Sequence, residues 1–281
     1  MKKISMIVLV LFVISLVIGL DCRKTYLRVD IADKTELEKY CFTVHGFCES
    51  DFVTEETQGG TTTWTSQIID EKTGIVLDEK VEEVENEKLE FTQEEIEENP
   101  WIKYMDMGKE EGIRAVLDDA QYVVLAKGKG KAKALGETLQ QEIYVEKVLK
   151  GDNKWQGKDI KVVSTKMNVW MPKRKKLTGG LGLFVNLMEE GEEYLVFLNP
   201  VKLEGKDYEN VAYLADYEDV PYFNLADKEN KIAKPEEKDG MECRYYKDVK
   251  DNEFFVSDEV ALNKLLEIKQ EYLEKYQVGA E

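Results

Sequence analysis

Cys41, His45 and Cys48 stand in C-x3-H-x2-C order, a spacing that could seat zinc if a fourth ligand came from elsewhere in the chain. His45 is the only histidine. A Ser/His/Asp or Cys/His nucleophilic centre would therefore have to use it, and no G-x-S-x-G turn accompanies it. The same two cysteines flank FTVHGF, where Gly46 can turn the chain, so Cys41 and Cys48 also suit a local disulfide. Carboxylates are dense over 79–98, EKVEEVENEKLEFTQEEIEE. Acid/base work needs two carboxylates in unlike environments and calcium needs a D-x-D-x-D-G loop; this run offers neither, and it reads as a solvated linker or helix face. Lys127, Lys129, Lys131 and Lys133 lie two apart, which in an extended chain points all four to one side. Such a stripe could grip an anionic partner, or it could be a lysine-protected hairpin that guards a sheet edge. A second basic group, Lys173, Arg174, Lys175 and Lys176, falls in a long Gly-containing loop over 167–182. The 127–133 run is not a phosphate loop, because the G-x4-G-K-[ST] pattern is missing and no clear helix follows. The residues thus nominate a partner surface and a disulfide, and they nominate no catalytic residue, metal or cofactor.

The composition narrows the setting. A net charge of −18 over 281 residues disfavours nucleic-acid binding, which needs a basic face. Hydrophobic residues at 43% are enough for a core, so the 34% charged content does not make a disordered chain. Lys2 and Lys3 precede an apolar run over 4–20, which reads as a signal peptide or a membrane anchor. With those lysines retained inside, everything after the run lies outside the cytoplasm, as membrane-bound or secreted protein. An even count of four cysteines fits that address.

The elements that must position these groups are mostly strands. Over 138–200, TLQQEIYVEKVLKGD, GKDIKVVST and EGEEYLVFLNP carry apolar residues two apart and end in turn chemistry. Tyr194, Val196 and Leu198 face one way and Leu195 and Phe197 the other, which predicts a central strand covered on both sides. Residues 120–126 form another strand, after a short helix over 113–119. Further strands are expected at 26–31, 211–215 and 222–226. TTTWTSQII over 61–69 should make a hairpin with a strand starting at Gly74. Ser257 is expected to cap a C-terminal helix whose stripe includes Leu262, Leu265, Leu266, Leu273 and Tyr276. The resulting division is 1–20 as leader or anchor, 23–110 as a small β-rich region with an acidic linker, and 111–281 as the main domain.

The order of pieces over about 113–275, with QEIYVEKVLKGD, GKDIKVV, GEEYLVFLNP and PYFNLADKENKI, resembles the netrin-like fold of the tissue inhibitors of metalloproteinases, in the divergent form of bacterial envelope proteins. That resemblance implies a mainly β, α+β domain: a five- to six-stranded OB-type barrel with a C-terminal helix. The animal inhibitors use an amino-terminal C-x-C on the protease zinc, and this chain has none, so the inhibitory residues do not transfer. The expectation is a non-enzymatic binding module outside the cytoplasmic membrane, meeting an envelope or extracellular protein or a cell-wall polymer. Inhibition of an extracellular protease and a Cys/His zinc protein are the alternatives.

Overall fold

The computed structural model describes residues 29–31, 41–52, 61–69, 76–85, 103–104, 107–135, 138–170, 178–203, 206–232, 236–238 and 241–279. The leader or anchor reading of 1–20 and the basic group at 173–176 lie outside them. No helix among the described residues is long and apolar enough to cross a membrane. The chain is mainly β with a few helices, and it divides into two compact units: Met1–Phe52 with Gly108–Glu281, and Val53–Met107.

In chain order the elements are β1 (Val29–Ile31), β2 (Cys41–Val44), α1 (Glu49–Phe52), β3 (Thr61–Ile69), β4 (Val76–Glu85), α2 (Lys109–Asp119), β5 (Tyr122–Leu135), β6 (Thr138–Lys150), β7 (Asp159–Ser164), β8 (Met167–Trp170), β9 (Thr178–Leu181), β10 (Glu193–Leu203), β11 (Lys206–Leu214), β12 (Tyr222–Asn224), β13 (Glu236–Lys238), β14 (Met241–Cys243), α3 (Tyr246–Val249) and α4 (Glu259–Lys275). The main sheet has seven strands in the order β1-β5-β6-β7-β11-β10-β12, with a further pairing of β10 to β5. The pairings β5-β6-β7-β11-β10 therefore return to β5. All are antiparallel except β7 with β11.

One strand serves two neighbourhoods. The first half of β5 pairs with β10 and the second half with β1, while β6 runs along both. The change of partner falls at Gly128, after which the ladder to β6 skips from Gly128 to Ala132. A side chain at Gly128 would sit 2.1 Å from the Glu189 carbonyl oxygen, so only glycine lets the 189–192 turn lie against the strand.

The core follows the expected alternation. Tyr194, Val196 and Leu198 fill the interior of the circuit, while Leu195 and Phe197 are buried on its outer side. There Phe197 meets Tyr272 of α4 and Tyr276, the residue that caps the helix, with ring centroids 5.4 and 6.2 Å away. Trp155 is fully buried beside Tyr122, its Nε1 donating to the Glu209 carbonyl. Gly151 closes β6 at φ 99°, the left-handed turn that its sequence position called for.

Four expectations change. The 127–133 run is not a hairpin but the interior of β5, its two ends paired with β6 and, on the other edge, Lys127 with β10 and Ala132 and Lys133 with β1. The 167–182 loop contains β8 and β9, which pair with each other, and β9 also pairs with β2. The glutamate run is strand as far as Glu85, since β3 supplies a partner ladder that outweighs low β-propensity. Finally, Asp258 caps α4, its Oδ1 accepting from the Ala261 amide, whereas the Ser257 hydroxyl is buried without a partner. The buried stripe of α4 runs through Ala261, Leu262, Leu265, Ile268, Lys269, Tyr272 and Leu273; Leu266 is exposed. The region placed at 23–110 is shared between the units, since β1 and β2 pair with β5 and β9.

Candidate functional site

The register of β6, β7 and β11 sorts their side chains into two sets. Leu139, Gln141, Ile143 and Val145 of β6, with Ile160, Val162, Ala212 and Leu214, are buried inside. Gln140, Glu142 and Tyr144, then Asp159, Lys161 and Val163, then Val211 and Tyr213 share the outer face, because direct cross-strand partners point the same way. On that face Tyr144 and Tyr213 are 37% and 39% exposed, and among the described residues Tyr208 of β11 is also exposed, at 45%.

The lysine stripe of β5 borders this face. Its four side chains do point outward, between buried Ala126, Gly128, Ala132 and Ala134. Three of them are already engaged: Lys127 with Glu146 at 2.7 Å and Glu193 at 3.3 Å, Lys129 with Asp159 at 3.2 Å, and Lys131 with Glu142 at 3.5 Å. The hydrogen bond to Glu146, then that to Glu193, holds the Lys127 ammonium above its ordinary range. Such exposed pairs add little stability, but they cancel much of the positive charge that the spacing promised. Lys161 has no ion pair among the described residues, and Lys133 stands directly opposite Asp30 of β1 in the ladder. What the sequence presented as a uniform basic stripe is a row laced by carboxylates, and the cation without an ion pair among the described residues is Lys161 of the neighbouring β7.

Of the cysteine motif, the side chains of His45 and Cys48 are described. Cys48 is a free cysteine with Sγ 3.0 Å from Ser50 Oγ, and the side chain of Cys41 lies outside the described residues. His45 is exposed, its ring centroid 6.3 Å from that of Phe184. No group of three His, Cys, Asp or Glu side chains is placed to hold a metal among the described residues.

A second polar cluster lies under the outer wall of β10. Lys269 of α4 is buried, with Nζ 2.7 Å from Glu253 Oε2 and 3.2 Å from the Ala226 carbonyl. Glu253 Oε1 accepts from the Asn224 amide. Burial pushes the Glu253 carboxyl above its ordinary range and the Lys269 charge opposes that shift. Beside the pair, Glu192 accepts from Asn224 and Lys228, and Tyr222 donates to the Asn186 carbonyl. The cavity among these groups holds about 10 Å³, room for about one water molecule. This cluster fastens α4 to β12 and offers no space for a substrate.

Sequence reasoning found the lysines and missed Tyr144, Lys161, Val163 and Tyr213. Their signal was present as outward parity in QEIYVEKV, DIKVVS and VAYL, but parity marks a face without saying what covers it. Comparison with protein-family models, with curated proteins and with solved structures finds no match for this chain.

Proposed function

We propose that this chain is a non-enzymatic binding module acting outside the cytoplasmic membrane, and that it meets its partner through the outer face of β6, β7 and β11. The pairing circuit supports reading the main sheet as an OB-type barrel of the netrin-like kind, with α4 at its side. In such barrels the face of the second and third strands carries ligand, and here those strands are β6 and β7. The observation that carries the reading is the pair of exposed rings, Tyr144 and Tyr213, set on one face with Lys161, which has no ion pair among the described residues. Rings give contact area at little entropic cost, and the ammonium group of Lys161 favours an anionic envelope or extracellular protein or an anionic wall polymer. The leader or anchor over 1–20 supplies the address.

Intact cells treated with a membrane-impermeant amine cross-linker, followed by mass spectrometry, test this reading. Lys133 and Lys161 are expected to link to one envelope component, and Tyr144→Ala with Tyr213→Ala should abolish that adduct while leaving labelling of exposed Lys247 unchanged. Co-sedimentation with purified wall material separates a polymer from a protein partner. Labelling at Lys247 with no adduct at the face, and no sedimentation with wall material, removes the face. Protein present in the membrane fraction but never labelled removes the location.

A further inference from the structure

The lacing of the lysine row moves positive charge onto the neighbouring strands. Lys127, Lys129 and Lys131 of β5 take up Glu146, Asp159 and Glu142, carboxylates that belong to β6 and β7. Glu142 stands directly across the ladder from Lys161, yet its ion pair, at 3.5 Å, is with Lys131. The remaining carboxylate over 142–161 is Asp152, which accepts from the Tyr122 hydroxyl and the Lys154 amide. Lys147, Lys150, Lys154, Lys158 and Lys161 are thereby left without an ion pair among the described residues.

Two of these lysines are held inward. Lys150 donates to the Asp118 carbonyl, and Lys154 lies over the rings of Tyr122 and Trp155, 4.8 and 4.5 Å from their centroids. The other three, Lys147, Lys158 and Lys161, are exposed. Lys147 stands opposite Leu125 in the β5 ladder, Lys161 lies on the outer face of β7, and Lys158 closes the turn between the two strands. That turn is tied down: the Lys158 carbonyl accepts the Val145 amide, Gly157 donates to the Val145 carbonyl, and Trp155 Nε1 donates to the Glu209 carbonyl.

We propose that the β6–β7 end of the sheet, from Lys147 through Lys158 to Lys161, binds a linear polymer that bears phosphate groups. Lysine is a point charge that suits phosphate, whereas planar two-pronged pairing with carboxylates calls for arginine, and 115–173 contains none. Several cations without counter-ions suit a partner whose charge repeats, because each phosphate bound releases condensed counter-ions. The whole chain carries −18, which repels a wide anionic surface such as a bilayer or a DNA duplex. A thin polymer lies along the lysines alone, and screening over about 8 Å at physiological salt hides the rest of the charge from it. The surface joins the Tyr144 and Tyr213 face at Lys161 and needs neither ring.

Calorimetric titration of the full-length chain with long-chain inorganic polyphosphate tests the proposal. Affinity is expected to fall steadily as salt rises, and Lys147→Gln and Lys158→Gln should each weaken binding severalfold and flatten the logarithmic salt slope by about one. Lys247→Gln, at an exposed lysine of α3, should leave both unchanged. Phosphatidylglycerol vesicles and a short DNA duplex should bind at least about tenfold more weakly than the polymer. Absence of polyphosphate binding, binding that ignores salt, or an equal loss in Lys247→Gln overturns the proposal. So does tighter binding of vesicles or duplex, which would assign the lysines to a bilayer or to a nucleic acid. A loss confined to Lys161→Gln overturns it as well, since that cation alone would then belong to the tyrosine face.

Discussion

Lys269→Met is expected to lower the unfolding free energy by about 3–5 kcal/mol at pH 8, the cost of leaving a buried charge without its partner. Glu253 is then the orphan: it is 5% exposed at its side chain, and its remaining hydrogen bond comes from the Asn224 amide. The loss has a direction in pH. Burial already lifts the folded-state pKa of Glu253 above its ordinary value, and removing Lys269 lifts it further. The deficit is therefore present when Glu253 is ionised and is recovered as pH falls and the carboxyl takes a proton. Pairing Lys269→Met with Glu253→Leu removes both charges and should restore most of the stability. Denaturant unfolding of the three variants at pH 5 and pH 8 measures all of this. A single variant within about 1 kcal/mol of wild type at pH 8 would show that the pair carries little.

Gly128→Ala should cost at least about 3 kcal/mol, because the new methyl group meets backbone and not a side chain that can swing away. The added carbon would lie 2.1 Å from the Glu189 carbonyl oxygen, and separating them breaks the hydrogen bonds of Gly128 to Glu192 and of Gly191 to Gly128. Those bonds fix where β5 changes partner from β10 to β1. Gly157→Ala is the contrasting control: φ is 73° but nothing lies within 4 Å of the added carbon. It should cost only about 1 kcal/mol of backbone strain. Equal losses in the two variants would mean that the approach of the 189–192 turn is not what Gly128 protects.

Strands whose alternation is set by burial could be read directly. Ile143, Val145, Ile160, Val162 and the two-sided β10 were legible because period-two patterning reports a buried face whatever the partner strand is. Partner identity was not legible. The parallel pairing of β7 with β11 joins residues about fifty positions apart, and nothing in either segment encodes the other. The 127–133 run shows the limit most plainly. Its outward spacing was correct, yet the carboxylates that engage it come from β6, from Asp159 at the start of β7 and from Glu193 at the start of β10, so its charge balance exists only in the fold. Tyr144 and Tyr213 were unreadable as a site for the same reason: each is one aromatic residue in a strand, and only the register puts them on one surface. At Ser257 and Asp258 either residue could cap by type, and the choice falls to Asp258 because its Oδ2 also accepts the Glu49 amide from α1.

The early strands of this protein must wait. β2 leaves the ribosome long before β9, its partner in the Val44 to Leu181 pairing, and β1 precedes the matching stretch of β5 by about a hundred residues. At a synthesis rate of roughly 5–20 residues per second the delay for β2 is on the order of 7–30 seconds. β1 can pair once residues 132–134 are made, but β2 has no ladder to join until β9 follows, so the β2-β9-β8 sheet is completed only after β5, β6 and β7 are in place.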